Sequence, residues 1–584
     1  MLDKFCKIGE RIRQEKKDAG KIAHDAISNK AFSNEMIINQ DGTFVGFKVI
    51  DMEVTPFAER ISSKKGKSIL VLDKAEEVLG YQKNIKKHQI FLDKLNEYKD
   101  LPVLKPIFAF YENKENGIGK ALLNFESQVE KKQREGAIAF RIEGNPLRVH
   151  EEPSVYQEII KKYDLNIANL LEKKFNICSI CGETTYPTGD ITHDKVRGVP
   201  KGQSTGCVLV SYNEPAYESY GLKGNNNCPI CTHCAITHVE GLNYLLNNHN
   251  IGYTTKGKSY DVYTNCYTFG KDTKVLFWTK NNTPIDEIAL FNEPNVELIT
   301  KLFASVKKGN IENSNIDDEV FYSCTISGAV TRIVIRDWIE ISLRDYKQSI
   351  VNWFKDIAIE ANSELYYPSL YRLLNSINTK VSDDKNKKSK IDNTRIMDSL
   401  WNAALKGGKM PPWVLSVVLR IIHTDKGSLT VERIALLKFI LNRNGRGGIM
   451  IKEKLDQDNK ELAYMAGRIF FVLESIQRYA IRENINGIRE RFFSSASMRP
   501  AVIFGIILKL TQHHLTKLKK LNPGMGIILD KELQSLFKDV TDFPDLFSLE
   551  EQGQFSIGYY HQKEEAIKKA QEIKKEQEIK KSKK

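Results

Sequence analysis

Two groups of closely spaced cysteines constrain the fold more than any other feature of this sequence. The first is Cys178-x-x-Cys181, and the second, further along the chain, is Cys228-x-x-Cys231-x-x-Cys234. A zinc ion takes four tetrahedral ligands, and thiolates at C-x-x-C spacing can chelate it from one tight turn. A chain that uses both groups must therefore fold so that two distant turns meet at one ion.

The second group offers three cysteines for two ligand positions. Cys231 and Cys234 face one ion if a helix begins near Pro229, a position where proline is well tolerated. The alternative pair is Cys228 with Cys231 in a C-P-I-C turn. A set of four thiolates leaves no open position for water, so we predict a structural zinc rather than a catalytic one. The preferred ligands are Cys178, Cys181, Cys231 and Cys234, with Cys228 as the alternative ligand.

Composition places the chain among globular proteins with an anionic partner. Nine cysteines in 584 residues are too few for a disulfide framework. No apolar run reaches the length of a membrane span, and the N-terminus lacks the apolar core of a secretory signal, so we expect a cytoplasmic protein without membrane contact. The formal charge of +13 favours nucleic acid as the partner.

Hydrophobic periodicity changes along the chain and predicts an α+β fold. Met36–Ile50 is typical of a β-hairpin around Asp41-Gly42. From about residue 394, apolar positions recur at helical spacing and predict a bundle of four or five helices. The predicted divisions are an N-terminal mixed α/β region over 1–375 with a zinc-binding segment at 176–235, a linker over 376–393, a C-terminal helical bundle over 394–562 and a charged tail over 563–584.

The segment Lys195–Gly221, named here the glycine-rich segment, has the composition of a DNA-binding loop. Its glycines let the backbone approach a ligand closely, its cations suit phosphates, and its amides and hydroxyls suit base edges. A second basic loop before it offers another clamp on the DNA backbone. The candidate DNA-binding residues are Lys195, Arg197, Lys201, Gln203, Ser204, Thr205 and Asn213, and, in the second loop, Ser63, Lys64, Lys65 and Lys67.

Two motifs resemble parts of known active sites, but neither predicts catalysis in this sequence. Gly252–Ser259 matches the string G-x-x-x-x-G-K-S, but a phosphate loop needs a strand before it and a helix after it. Here a helix is expected before it and a strand after it, so the string predicts a basic turn. His193-Asp194 lacks the further ligands of a metal nuclease and is predicted to be structural. We therefore predict no catalytic residues.

Several blocks along the chain resemble one protein family. The run from Val196 to Tyr220, which contains GVPKGQSTGCVLVSYNEPAYESY, resembles the central signature of the large subunit of the type I-C CRISPR Cascade complex. Further blocks match in the same order from the N-terminal part to the end of the chain. These blocks include Lys67–Gly80, Pro412–Asn442, Gln512–Lys519 and Leu549–Gln562.

The resemblance implies a DNA-recognition subunit without catalytic activity. Such a subunit contacts the guide RNA (crRNA), the backbone subunits, the crRNA-processing subunit and the small subunits of Cascade. It recognises the protospacer-adjacent motif (PAM) in double-stranded target DNA, starts unwinding for the R-loop, stabilises the displaced strand and recruits a helicase-nuclease. The family also makes small subunits from an internal start, for which Met450 and Met465 are candidates. Many family members lack the cysteines, so the zinc would belong to one branch.

Two other functions compete with this interpretation. One is a zinc-dependent nuclease or other nucleic-acid-processing enzyme, which requires acids or histidines beside an open metal position. The other is a structural RNA-binding protein without DNA specificity.

Overall fold

The computed structural model describes residues 1–55, 68–173, 176–185, 193–253, 259–269, 272–308, 319–377, 393–424, 429–445, 450–481 and 487–582. The chain forms two compact units: residues 1–266 with 327–334, and residues 267–326 with 335–584. All described elements from Leu370 onward are helices, whereas strands and helices mix before it. The predicted α+β fold with a helical C-terminal part is therefore confirmed. Within the described ranges, no helix has the length and apolarity that crossing a membrane requires.

The first unit combines helices with four-stranded and two-stranded sheets. Its helices are α1 (Leu2–Asp18), α2 (Ala75–Val78), α3 (Ile85–Asn96), α4 (Lys105–Glu112), α5 (Lys120–Gln128), α6 (Pro153–Lys173) and α7 (Thr232–Asn247). Its strands are β1 (Lys30–Ile38), β2 (Phe44–Thr55), β3 (Leu72–Lys74), β4 (Ala137–Ile142), β5 (Asn176–Ile177), β6 (Thr184–Thr185), β7 (His249–Tyr253) and β8 (Ser259–Tyr263).

The main sheet of this unit has the strand order β2-β1-β4-β3. Strands β1 and β2 form the antiparallel hairpin that the sequence predicts, and its turn places Gly42 at φ +81°. Strand β4 pairs parallel with β1, which buries Phe32, Met36 and Phe140 in one core. Helices from the α2–α5 region contribute to the same core because their apolar faces are buried, as amphipathic helices require.

The second unit has one larger sheet and many helices. Strands β9 (Cys266–Phe269), β10 (Thr273–Thr279), β11 (Val320–Ala329) and β12 (Arg332–Ser342) form a sheet in the order β12-β11-β10-β9, and β13 (Ile359–Ala361) pairs with β14 (Glu364–Tyr366). The tip of the β11–β12 hairpin, residues 327–334, belongs to the first unit. The helices are α8 (Val296–Lys308), α9 (Leu343–Ile357), α10 (Leu370–Ser376), α11 (Asn393–Lys406), α12 (Pro412–Thr424), α13 (Val431–Asn444), α14 (Leu462–Ala480), α15 (Ile488–Met498), α16 (Pro500–Leu521), α17 (Pro523–Phe537) and α18 (Leu549–Ser582).

The expectation of four or five C-terminal helices is wrong, because the described residues form eight helices from Asn393 onward. Helices α15 and α17 were missed because serines and glycines interrupt their apolar positions, and the third missed helix, α18, runs into the stretch predicted as a charged tail. One hydrophobic core runs in sequence from Val275 to Tyr560 and so includes residues on both sides of the predicted linker. The division at 376–393 stays a prediction, since residues 378–392 lie outside the described ranges.

The charged tail begins as a continuation of helix α18. Asn362 N donates to Glu564 Oε2 at 2.8 Å, and Ser363 Oγ donates to Gln571 Oε1 at 2.9 Å. Within the tail, Lys569 Nζ lies 3.4 Å from Glu565 Oε1, an ion pair between residues one helical turn apart. The first part of the tail is therefore fixed to the β13–β14 hairpin.

Candidate metal centre and nucleic-acid interface

The structure brings four cysteines from two distant turns into one group. The Sγ atoms of Cys178, Cys181, Cys231 and Cys234 all lie within 4.8 Å of one another. Four sulfurs bound to zinc at about 2.3 Å would lie roughly 3.8 Å apart, and Cys181 Sγ is 3.9 Å from Cys231 Sγ. The donor set and its spacing therefore fit a tetrahedral metal ion.

The first pair of cysteines is held by a short hairpin. Strands β5 and β6 pair on either side of it, and Cys178 N donates to Glu183 O at 2.9 Å. Gly182 N then donates to Cys178 O at 3.0 Å, with Gly182 at φ +78°. Only glycine adopts this backbone conformation at no steric cost, so the C-x-x-C-G sequence closes the turn.

The second pair is held by the N-terminus of helix α7. Cys231 is the N-cap residue, and its Sγ accepts a hydrogen bond from Cys234 N at 3.3 Å. Cys231 N in turn donates to Cys178 Sγ at 3.3 Å. Backbone N–H groups that point at sulfur stabilise thiolates, which are the form that binds metal.

Cys228 lies outside this group of four. The hydrogen bond from Ser179 N to Pro229 O, 2.7 Å long, joins the two turns one residue after Cys228. Cys228 instead lies beside Tyr212, and burial, together with the electrostatic interaction with Cys228, raises the pKa of Tyr212. The geometry thus favours the helical pair, Cys231 and Cys234, over the C-P-I-C pair.

Hydrogen bonding within the group separates the thiol pKa values. The hydrogen bond from the Cys234 thiol lowers the pKa of Cys231 to about 5, and the same bond raises the pKa of Cys234. Burial raises the pKa of Cys181 to about 11. Because all four donors are cysteines, a bound ion would have no open position, and its chemistry would be structural.

Helix α1 fixes the helix that carries the second pair. Arg13 Nε donates to Glu240 Oε2 at 2.6 Å, and the same guanidinium also bonds Asp25. His233, located between the two helical cysteines, contacts Asp25 Oδ2 at 3.0 Å. Burial raises the pKa of Asp25, but the hydrogen bond from His233 and the charge of Arg13 outweigh it and lower the pKa to about 2.

The backbones of α1 and α7 approach closely at two glycines. A Cβ atom on Gly9 would lie 2.1 Å from Thr237 O, and one on Gly241 would lie 2.2 Å from Phe5 O. No side chain fits at either position, so the sequence requires glycine on both helices at this crossing.

The same helix α7 holds the backbone of the glycine-rich segment. Arg197 N donates to Asn243 Oδ1 at 2.8 Å, and Asn243 Nδ2 donates to Lys195 O at 3.4 Å. One turn further, Asn247 Nδ2 donates to Arg197 O at 3.5 Å. The cysteines at the start of α7 and the asparagines near its end thus connect the candidate metal centre to two of the predicted DNA-binding residues.

The tip of the β11–β12 hairpin supports the segment from another direction. Gln203 N donates to Val330 O at 2.9 Å, and Val208 N donates to Thr331 O at 2.9 Å. Gly328 N donates to Pro200 O at 2.7 Å. The backbone of the segment is therefore held to the hairpin tip through main-chain hydrogen bonds, which do not use its side chains.

The predicted DNA-binding residues of the glycine-rich segment lie on the surface. All seven have exposed side chains on one continuous stretch: Lys195, Arg197, Lys201, Gln203, Ser204, Thr205 and Asn213. The second predicted loop, with Ser63, Lys64, Lys65 and Lys67, lies outside the described residues.

Sequence reasoning missed Arg332 at the hairpin tip. Its Nη2 donates to Asn213 Oδ1 at 2.6 Å, and its Nη1 donates to Tyr217 Oη. It also missed Asn243 and Asn247 on α7. No sequence signal marks these residues, because they lie far from the segment in the chain and become neighbours only through the fold.

The two discarded motifs have structural explanations. His193 is buried with its ring edge-on to His238, 5.3 Å between centroids, and burial lowers the pKa of His193 to about 4. Gly252 lies in β7, which pairs antiparallel with β8 from Tyr253↔Ser259 onward. A strand, rather than the expected helix, precedes the string, because α7 already ends at Asn247. A strand also follows it where a phosphate loop needs a helix.

Comparison with known proteins places nearly the whole chain in one family. The family model described as CRISPR-associated protein (Cas_Csd1) matches residues 6–567. Among curated proteins, no match is found. The match includes both cysteine turns, helix α7, the glycine-rich segment and the C-terminal helices. The chain thus belongs to the CRISPR-associated protein (Cas_Csd1) family and is a CRISPR-associated Cascade subunit.

Proposed function

We propose that this chain is the non-catalytic large subunit of a type I-C Cascade complex and recognises the PAM in double-stranded target DNA through its glycine-rich segment. In this proposal it starts the unwinding that lets crRNA pair with the target, stabilises the displaced strand and recruits a helicase-nuclease. Its partners are the crRNA, the target duplex, the backbone, crRNA-processing and small subunits, and it acts in the cytoplasm. The observation that supports this proposal is a set of exposed cations and amides on one loop whose backbone is hydrogen-bonded to α7.

The immobilised backbone supports recognition rather than non-specific attraction. Cations at Lys195, Arg197 and Lys201 suit the positioning contacts to phosphate, and Gln203 suits contacts to base edges. Because α7 and the hairpin tip already hold the backbone, little conformational entropy is lost on binding. A duplex is the target that suits this mixture of phosphate and base-edge groups.

A structural zinc at Cys178, Cys181, Cys231 and Cys234 completes this proposal. The metal would join the β5–β6 turn to the first turn of α7. Since Asn243 and Asn247 hold the Lys195–Arg197 backbone from the same helix, the ion supports the DNA-binding loop without touching DNA.

A basic face on helix α16 supports the role in holding the displaced strand. Lys509, His513, Lys517 and Lys520 are exposed and recur at intervals of three and four residues, which places them on one side of the helix. Phosphates of a single strand can follow such a row of basic side chains.

The fold favours Met450 over Met465 as an internal start for a separate small subunit. Tyr464 Oη is bonded to His561 Nδ1 at 2.9 Å in the protein interior. A product that begins at Met450 keeps Tyr464 and all of α14, whereas one that begins at Met465 lacks Tyr464 and the two residues of α14 before it.

The test is the affinity of the assembled, guide-loaded complex for duplexes with and without the PAM. Lys201→Gln keeps the side-chain length and removes the charge, so we expect weaker binding to every duplex and a salt slope reduced by about one. Gln203→Ala should weaken binding to the PAM duplex by roughly tenfold and leave the PAM-free duplex unchanged. Lys223→Gln is the matched control, because Lys223 is exposed just outside the segment. Equal affinities for all variants would contradict the proposal.

A further inference from the structure

Arg332 holds the Asn213 side chain in one orientation. A guanidinium carries only donors, so the Asn213 atom 2.6 Å from Arg332 Nη2 has to be the acceptor, Oδ1. Ser211 Oγ donates to the same oxygen at 3.3 Å. Both contacts leave the amide nitrogen, Nδ2, as the group that faces away from Arg332.

The orientation is fixed by the surroundings of Arg332. Its second hydrogen bond goes to Tyr217 Oη, and its guanidinium lies 5.5 Å from the centroid of the Tyr217 ring. Tyr212 packs edge-on against that ring with centroids 5.5 Å apart. The Arg332 backbone is flanked by the bonds from Val208 N to Thr331 O and from Ile333 N to Val208 O. Rotation of the Asn213 amide would place its donor against the donors of Arg332.

The exposed amide nitrogen of Asn213 can therefore act only as a hydrogen-bond donor. Within the described part of the chain, no residue accepts a hydrogen bond from Asn213 Nδ2, and the residue is exposed. A free asparagine reads adenine with both of its atoms, because Oδ1 accepts from N6 and Nδ2 donates to N7. With Oδ1 occupied, the two-bond pairing with adenine is lost and only donation from Nδ2 remains.

We propose that Arg332 is a positioning residue that makes Asn213 a donor-only reader of DNA, so that this position selects keto groups in the major groove. In this proposal Nδ2 faces the 6-substituent of a purine or the 4-substituent of a pyrimidine, rather than the N7 atom that adenine and guanine share. At that point the keto oxygens of guanine (O6) and thymine (O4) accept from Nδ2, whereas the amino groups of adenine (N6) and cytosine (N4) oppose it with a second donor. This inference rests on the proposed function of the glycine-rich segment and names the base chemistry that one of its residues reads.

The test uses the guide-loaded complex and a duplex library randomised at the positions beside the target sequence. We expect the wild-type complex to prefer keto over amino bases at one position by about tenfold. Asn213→Asp keeps an acceptor for Arg332 but removes the donor, so its preference at that position should reverse toward amino bases. Because the added negative charge lowers affinity for every sequence, the readout is the keto-to-amino ratio.

The role of Arg332 is tested by a pair of variants. Arg332→Met releases Oδ1, so the ratio at that position should fall toward one, and Arg332→Lys, which retains a donor, should restore part of it. Lys223→Met removes an equal charge from an exposed site and should leave the ratio at the wild-type value. An unchanged ratio in Asn213→Asp or in Arg332→Met overturns the inference, whereas sequence-independent binding by the wild type overturns the proposed function itself.

Discussion

Two helix pairs, one in each compact unit, share one packing design but differ in the charges around it. In the first unit α1 and α7 cross at Gly9 and Gly241. In the second, α14 and α18 cross at Gly467 and Gly558, where a Cβ atom would lie 2.0 Å from Phe555 O and 2.1 Å from Tyr464 O. At both crossings the backbone of one helix occupies the space that a side chain of the other would need.

The buried arginines beside the two crossings have different partners. Arg13 in the first pair bonds two carboxylates, and although burial lowers its pKa, the hydrogen bond to Glu240 and the nearby charges raise it overall. Arg468 in the second pair donates to the neutral amide of Gln562 at 2.9 Å, and burial lowers its pKa. The first pair is thus oriented by charges as well as by packing, and the second mainly by apolar packing.

Metal removal should produce the largest difference between the pairs. Structural zinc supplies about 10 kcal/mol or more to small metal-folded domains. We expect chelation, or Cys178→Ser, to speed amide hydrogen exchange strongly in α7 and the glycine-rich segment, while α14 and α18 stay protected. Cys324→Ser is the matched control, because Cys324 is a buried cysteine that is not one of the four in the cluster. Equal protection of α7 with and without chelator, or purified protein without metal, would show that no zinc supports this pair.

Glycine substitutions should affect both pairs alike. Gly241→Ala and Gly558→Ala each place a methyl group against a backbone carbonyl, and such overpacking costs about 3 kcal/mol. Gly505→Ala in α16 meets nothing within 4 Å and should stabilise the protein by about 0.5 kcal/mol, because alanine loses less backbone entropy in a helix. Denaturant unfolding measures all three. If Gly241→Ala or Gly558→Ala lowers the free energy of unfolding no more than an ordinary surface substitution does, the helices at that crossing can move apart to make room.

Replacement of the two arginines should again affect the two helix pairs differently. We expect this effect to be smaller than those of metal removal and glycine substitution. Arg13→Met leaves Asp25 and Glu240 without their shared cation, and we expect a loss of about 2 kcal/mol, since both carboxylates keep some contact with solvent. Arg468→Met leaves only a neutral amide to be satisfied and should cost about 1 kcal/mol or less. Thermal unfolding at neutral pH checks both. Equal losses would mean that the charges of the first pair contribute nothing beyond packing.

The cysteine site was predictable because its information is local. A ligand spacing of three residues at a helix start places Cys231 and Cys234 on one side, and the C-x-x-C-G turn places Cys178 and Cys181 likewise. The β1–β2 hairpin was predictable for a similar reason, since Asp41-Gly42 suits its turn. Binding of zinc by these cysteines, and recognition of DNA, stay predictions.

The remaining features depend on contacts between distant parts of the chain. Arg332 reaches Asn213 only because the β11–β12 hairpin tip pairs with the segment around Val208. The burial of Arg13 follows from the glycine crossing with α7, which no periodicity in α1 reveals. The extra C-terminal helices were missed because tertiary packing, not amphipathicity, stabilises short helices such as α15.

The main-chain bonds that hold the glycine-rich segment have a kinetic consequence for the proposed DNA recognition. A loop that is already ordered has no folding step before docking, so correct and incorrect duplexes should associate at similar, salt-dependent rates. Discrimination then appears in residence time, because only the correct duplex satisfies the base-reading side chains. A complex built in this way can sample many sequences briefly and remain only at those that match.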